Sequence, residues 1–335
     1  MSFLTEPSKE FIEVLKRAGG SNKAESFQAQ AEIAKAIELP LRQGILSGDI
    51  TGNIFERMVM APGTSTEFPL DLLAPGEESD FVAFTNPGHG RIPERSVEGD
   101  YVMIPTYTIT NSIDYLLRYA REARWDIIAR CAQVLEAGFV AKINDDAWHT
   151  LLAAAVDRNI LVYDADAAVG QFTKRLISLM KIVMRRNAGG NTTSLKKGTL
   201  TDLYLSPEGV EDVRNWGVDQ LDDTTRREVY TAADGASGLS RIFGVNLNTL
   251  VELGENQQYQ LYHSGQLGGT LGPSDVELVV GLDLNASDSF VMPVKQEVTI
   301  FPDESMHRQQ RAGMYGFAEL GFGVLDNRRI LLGSF

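Results

Sequence analysis

The residues that could do chemistry are few. The chain has four histidines and one cysteine. His89 stands between Gly88 and Gly90, and glycine lets a second backbone or a ligand approach closely. No cysteine or second histidine lies near it in sequence. A turn histidine is therefore a simpler reading than a metal ligand or a proton-transfer group. His149, His263 and His307 are equally isolated, and neither HExxH nor CxxC spacing occurs. Cys131 alone excludes a disulfide within the chain and a four-cysteine zinc site. It reads as a small buried apolar side chain.

The other motifs are equally weak. No Walker loop, GxGxxG or GxSxG is present. The run GQLGGTLGP (265–273) resembles a phosphate-binding loop in composition only, because its spacing differs and no lysine follows. The pairs Glu77-Glu78, Asp145-Asp146 and Asp222-Asp223 could bind a hard cation, but such pairs also serve as solvated loop or cap residues. Arg185-Arg186 and Arg226-Arg227 are pairs rather than a basic tract. With a formal net charge of -14, binding to a phosphate backbone is disfavoured as the main activity. NTT at 191 and NAS at 285 match a glycosylation pattern, but the N-terminus MSFLTEPSKEF has no apolar signal core. No run approaches the ~20 apolar residues of a membrane span. The residue types thus predict no catalytic residue, cofactor or metal.

The elements around these residues carry a stronger message. The chain has 335 residues, 43% hydrophobic and 23% charged, enough for two domains or for one domain with extensions. Residues 8–18 have helical spacing in Phe11, Ile12 and Leu15, and Gly19-Gly20 ends the run. A second weak helix covers about 24–38, with Pro40 ending it. Both stripes are narrow, as in an arm that lies against something else. Strands are expected at Ile54–Ala61 and in YVMIPTYTIT (101–110). Between them lie some 40 residues with Pro62, Pro69, Pro75, Pro87 and Pro93. A structureless loop of that length is unusual in a compact domain. Phe68, Leu70, Leu72, Leu73, Phe81, Val82, Phe84 and Ile92 make it too apolar for a disordered linker. A catalytic lid, or an arm lying on a neighbouring molecule, remains.

From Asn111 onwards, Ile113, Leu117, Ala120, Ile127, Cys131, Val134, Leu135, Phe139, Ile143, Ala147 and Leu151 keep helical spacing. Asn111 or Ser112 would cap the helix and Asp114 would occupy its first turn. About 40 residues would make a rod of roughly 60 Å. Gly138 lies on the stripe and weakens the helix by roughly 1 kcal/mol relative to Ala. A further helix is expected at about 168–187. TDLYLS (201–206) reads as a strand, with Ser206-Pro207-Glu208 opening a helix through Trp216. A short helix is expected near 222–231. The remainder reads as strands: Ile242–Leu253, Gln258–His263, Val276–Leu284, Ser289–Phe301, and a C-terminal pair turning at Asp326-Asn327.

This order of elements resembles the major capsid proteins of tailed double-stranded DNA bacteriophages, those with the HK97-type fold. Three pieces carry the likeness: YVMIPTYTITNSIDYLLRYA, TDLYLSPEGVEDV, and SFVMPVKQEVTIFPDES followed by RAGMYGFAELGFGVLDNRRILLGSF. The resemblance implies an α+β fold with an N-terminal arm (1–48) and an extended β-hairpin loop, the E-loop (49–110). It implies a peripheral domain with a spine helix (111–160 and 288–318) and an axial domain (161–287 and 319–335). It also implies self-assembly through hexamers and pentamers into an icosahedral virion shell, formed in the host cytoplasm and enclosing DNA without reading its sequence. The E-loop residues Phe68, Leu70, Leu72, Leu73, Phe81, Val82, Phe84 and Ile92, and the arm residues Phe11, Ile12 and Leu15, would be subunit contacts. Some family members crosslink an E-loop lysine to a neighbour's asparagine. No lysine lies between Thr51 and Thr110, so that route is excluded and a cementing protein is a candidate partner. An arm of about 48 residues from Met1 implies a separate scaffolding protein, and the family implies a portal. An encapsulin-like compartment shell and an enzyme with a 62–99 lid are the alternatives.

Overall fold

The computed structural model describes residues 9–20, 22–48, 50–61, 63–70, 100–122, 124–186, 198–216, 241–273, 275–285, 289–303, 305 and 309–335. The expected helix near 222–231, and most of the proline-rich insert, lie outside the described residues. The chain divides into two compact units. One comprises Met1–Thr66, Met103–Ala147 and Val291–Gly323; the other comprises Glu67–Val102, Trp148–Phe290 and Val324–Phe335.

The first unit begins with α1 (Lys9–Ala18) and α2 (Lys23–Gly48). Ser26 Oγ and Gln30 Nε2 donate to the Ala18 carbonyl and close the turn between them. Pro40 does not end α2, contrary to the sequence expectation. Ile33, Ile37, Leu41 and Ile45 form one buried row through the proline. Burying each such side chain contributes roughly 1.5–3 kcal/mol, enough to offset a proline cost of about 3 kcal/mol.

The sheet of this unit has the order β1-β10-β11-β4, with β12 (Gly323–Val324) also pairing β10. Strand β1 (Glu56–Val59) runs parallel to β10 (Phe290–Asp303). Strands β11 (Arg311–Leu320) and β4 (Tyr107–Leu116) pair antiparallel along ten residues, from Arg311 opposite Leu116 to Leu320 opposite Tyr107. That ladder corrects the expected helix start. Asn111, Ser112 and Asp114 are strand residues, not a cap and a first turn. Two helices follow, α3 (Leu117–Arg121) and α4 (Trp125–Asp157). Helix α4 has 33 residues, about 50 Å at 1.5 Å per residue, and continues through Asn144-Asp145. Its buried stripe in this unit is Ile128, Ala132, Leu135, Phe139 and Ile143, while Val134 is exposed. Phe139 packs over Gly316, where a Cβ would come within 3.1 Å of its ring.

The second unit is built on a six-stranded sheet, order β5-β13-β9-β6-β8-β7. Its strands are β5 (Leu161–Tyr163), β6 (Asp202–Leu205), β7 (Arg241–Ile242), β8 (Val245–Thr249), β9 (Leu278–Leu282) and β13 (Ile330–Ser334). Helix α5 (Lys174–Arg186) lays Leu176, Ile177, Met180 and Met184 into the core. Gly281 and Gly333 make room for Met180: a Cβ at either would lie 2.9 or 3.1 Å from its thioether. Helix α6 (Pro207–Asn215) opens as its sequence predicts, with Ser206 Oγ accepting the Gly209 N–H at 3.1 Å. The ring of Phe172 stacks on Trp216 and meets Phe335 edge-on. Gln258–His263, expected as a strand, is instead helix α7 (Gln258–Leu261) running into a π-helical turn, Tyr262–Gln266.

Candidate subunit-contact surfaces

At the base of the long insert, β2 (Glu67–Leu70) and β3 (Asp100–Met103) pair in a two-stranded sheet. Below it, Ile104 N–H donates to the Thr66 carbonyl at 3.1 Å, and Thr66 Oγ1 donates to the Ile104 carbonyl at 2.6 Å. Phe68 is buried, 6% exposed. Tyr101 and Met103 are each 67% exposed, with Val102 also exposed. Among the described residues, β3 thus presents a run of exposed apolar side chains. Leu70 lies in β2. Leu72, Leu73, Phe81, Val82, Phe84 and Ile92 fall outside the described residues, as does His89.

In the N-terminal helices, Leu15 is fully buried and Phe11 and Ile12 are half-buried. Leu15 thus packs within its own chain. Arg121 Nε donates to the Gly19 carbonyl and ties α1 to α3. A large exposed apolar side chain of this region is Leu39 on α2, at 64%.

A third surface went unnoticed in the sequence. Phe301 on β10 stacks on Tyr315 and Phe317 of β11, with ring centroids 5.7 and 5.3 Å apart. Phe301 and Tyr315 are exposed. Strand pairing puts them on one face, since Phe301 is opposite Tyr315, and Phe317 is opposite Thr110. The visible signal was the spacing Tyr315-x-Phe317 within a strand.

Four groups of chemical interest have defined surroundings. His149 stacks on Tyr262 with centroids 3.9 Å apart. His263 is buried, and burial holds its imidazole below the usual range. Asp146 accepts from Lys142 Nζ at 2.7 Å and from the Tyr107 hydroxyl at 2.9 Å. Burial, with a smaller contribution from Asp114, pushes the Cys131 thiol up and away from the reactive thiolate. Among the described residues, no helix is long and apolar enough to cross a membrane.

No protein-family model and no curated protein matches the chain. Solved structures do match it. A chain from Microbacterium phage Oxtober96 is 10% identical, with a TM-score of 0.56 over 86% of this chain and 90% of that one. A chain of the cyanophage Pam1 capsid asymmetric unit is 12% identical, with a TM-score of 0.54 over 84% and 88%. A chain of the bacteriophage PhiM1 mature capsid is 12% identical, with a TM-score of 0.53 over 85% and 86%. The fold is the HK97-type α+β capsid fold. Sequence identity this low leaves the HK97-type likeness one of architecture, carried by the order and pairing of elements rather than by shared residues.

Proposed function

We propose that this chain is a major capsid (head) protein that self-assembles through hexamers and pentamers into an icosahedral shell around a phage genome. The observation that carries the reading is the extent of the match: 84% of the chain superimposes on a capsid subunit of cyanophage Pam1 and 85% on one of PhiM1. In this reading α1 and α2 are the N-terminal arm, β2 and β3 begin the E-loop, and α4 is the spine helix. The role is structural rather than catalytic. The exposed apolar surface of Tyr101 and Met103 on β3 supports it, since such a surface suits contact with a second molecule. Leu70, Leu72, Leu73, Phe81, Val82, Phe84 and Ile92 are proposed E-loop contacts, with Phe11 and Ile12 in the arm; Phe68, buried like Leu15, is left out.

The shell is held without E-loop lysine crosslinks, because residues 51–110 contain no lysine. A scaffolding protein, a portal and a cementing protein are its proposed partners, and the virion is its location. Gel filtration of the purified protein tests the proposal. Pentamers, hexamers or larger species are expected. A monomer at every concentration, with and without a scaffolding protein supplied, would overturn it.

A further inference from the structure

Strand β10 breaks register twice against β11. Val294 faces Leu320, Gln296 faces Glu319, and Thr299 faces Phe317. Each step inserts an extra residue on β10, so its side chains leave the regular pleat. Beside these bulges lies a cavity of about 50 Å³. Helix α2 contributes Ile45, helix α4 contributes Ile143, and the sheet contributes Val294, Val298, Ala318 and Leu320. All six are buried.

The open side of the cavity is charged but balanced. Arg42 donates from Nε to the Val298 carbonyl at 2.7 Å, from Nη1 to Glu297 at 3.2 Å and from Nη2 to Glu38 at 2.8 Å. Arg57 donates to the other Glu297 oxygen at 2.8 Å. Two guanidinium groups thus face two carboxylates, and all four side chains are about one-quarter to two-fifths exposed. The rim carries no net charge that an ionic ligand would neutralise, and the lining behind it, Met292 included, is apolar apart from the Gln296 side chain, whose amide donates to Thr299 Oγ1 at 3.4 Å. A small, mostly apolar opening of this kind suits an uncharged apolar guest better than an ion.

We propose that this cavity is a binding site for a small uncharged apolar molecule, of the size of xenon or a short alkyl group. The guest touches α2, α4 and the β10–β11 sheet together. Its binding therefore favours the state in which α2 is docked on the sheet. The inference does not depend on shell assembly.

The test is methyl NMR of the unassembled full-length chain, labelled at isoleucine and titrated with xenon or with butyrate. Xenon is expected to shift the Ile45 and Ile143 methyls saturably while leaving Ile177, in the other unit, unmoved. Butyrate, whose carboxylate would seek Arg42 or Arg57, is expected to give no saturable shift. Ala318→Leu should abolish the xenon response, and the milder Val298→Ile should weaken it if the larger change prevents folding. No saturable xenon shift, an unchanged response in the filled variants, or saturable butyrate binding at these methyls would each overturn the proposal.

Discussion

Asn111 on β4 donates its side-chain Nδ2–H to the backbone carbonyl of Leu135, inside α4, at 3.1 Å. It reaches that carbonyl because Gly138 has no side chain: a Cβ there would fall on the Asn111 amide. A glycine that looks like a defect in a long helix is the notch that admits a strand side chain. Opposite Asn111 in the ladder is Gly316, on which Phe139 rests. Two glycines and two side chains thereby fix the helix against the sheet.

The relationship predicts a coupling. In the native chain Gly138→Ala displaces Asn111, and the lost hydrogen bond of about 1 kcal/mol cancels the helix-propensity gain of similar size. With Asn111→Ala already present, the same change should raise stability by about 1 kcal/mol. Urea unfolding of the four members of this cycle checks it; equal effects of Gly138→Ala in both backgrounds would show that the notch is incidental.

Arg329 is the central cation of the second unit. Its Nη1 donates to Asp283 at 2.6 Å, Asp326 lies 3.7 Å from Nε, and all three side chains are 4% exposed or less. Arg329→Met leaves two buried carboxylates without that partner and should cost roughly 3–5 kcal/mol. Arg329→Lys should not restore the loss, since an ammonium cannot serve both carboxylates from one position. Thermal melting of both variants is the measurement.

His263 makes stability depend on pH. The residue is 1% exposed, and its Nδ1 has no hydrogen-bond partner among the described residues. Burial lowers its pKa, so on acidification the unfolded chain takes the proton first. The stabilising contribution is complete above the unfolded value of about 6.5 and is lost as pH falls below it toward the folded value. Glu277 acts in the opposite sense: burial foremost raises its pKa, helped by Glu208, Asp212 and Glu255 and opposed by the Ser206 hydroxyl. Its contribution is present in acid and lost as pH rises through its folded value. Comparing His263→Leu with the native chain between about pH 5 and 7 isolates the histidine; the variant should lose the slope on the acid side.

The exposed strand β3 gives a surface prediction. Tyr101→Asp and Met103→Asp should change subunit stability by about 0.5 kcal/mol or less, as surface substitutions do. They should nonetheless block assembly, which light scattering would show. Assembly at the native rate in both variants would remove β3 from the contact surface.

Much of this fold was legible in the sequence. Ser206-Pro207-Glu208 marked the start of α6, and the apolar run at Val276–Leu284 marked β9, because both signals are local. The errors arose where distant residues decide. Asn111–Leu116 carries helical spacing, yet a ten-residue ladder with β11 holds it as strand. Pro40 is a helix breaker locally, but the buried row from Ile33 to Ile45 continues through it. Of the candidate contacts, Leu15 was readable as apolar but not as internal, since its burial depends on α2 and α3. The Phe301, Tyr315 and Phe317 surface depends on a bulged register that no single strand encodes.

The central claim is that this chain builds a closed shell. Negative-stain electron microscopy of the purified protein, with scaffolding protein supplied if none forms alone, tests it most directly. The account predicts closed particles of uniform diameter, or pentamers and hexamers that grow into them. Only dispersed monomers or dimers under all these conditions would contradict it.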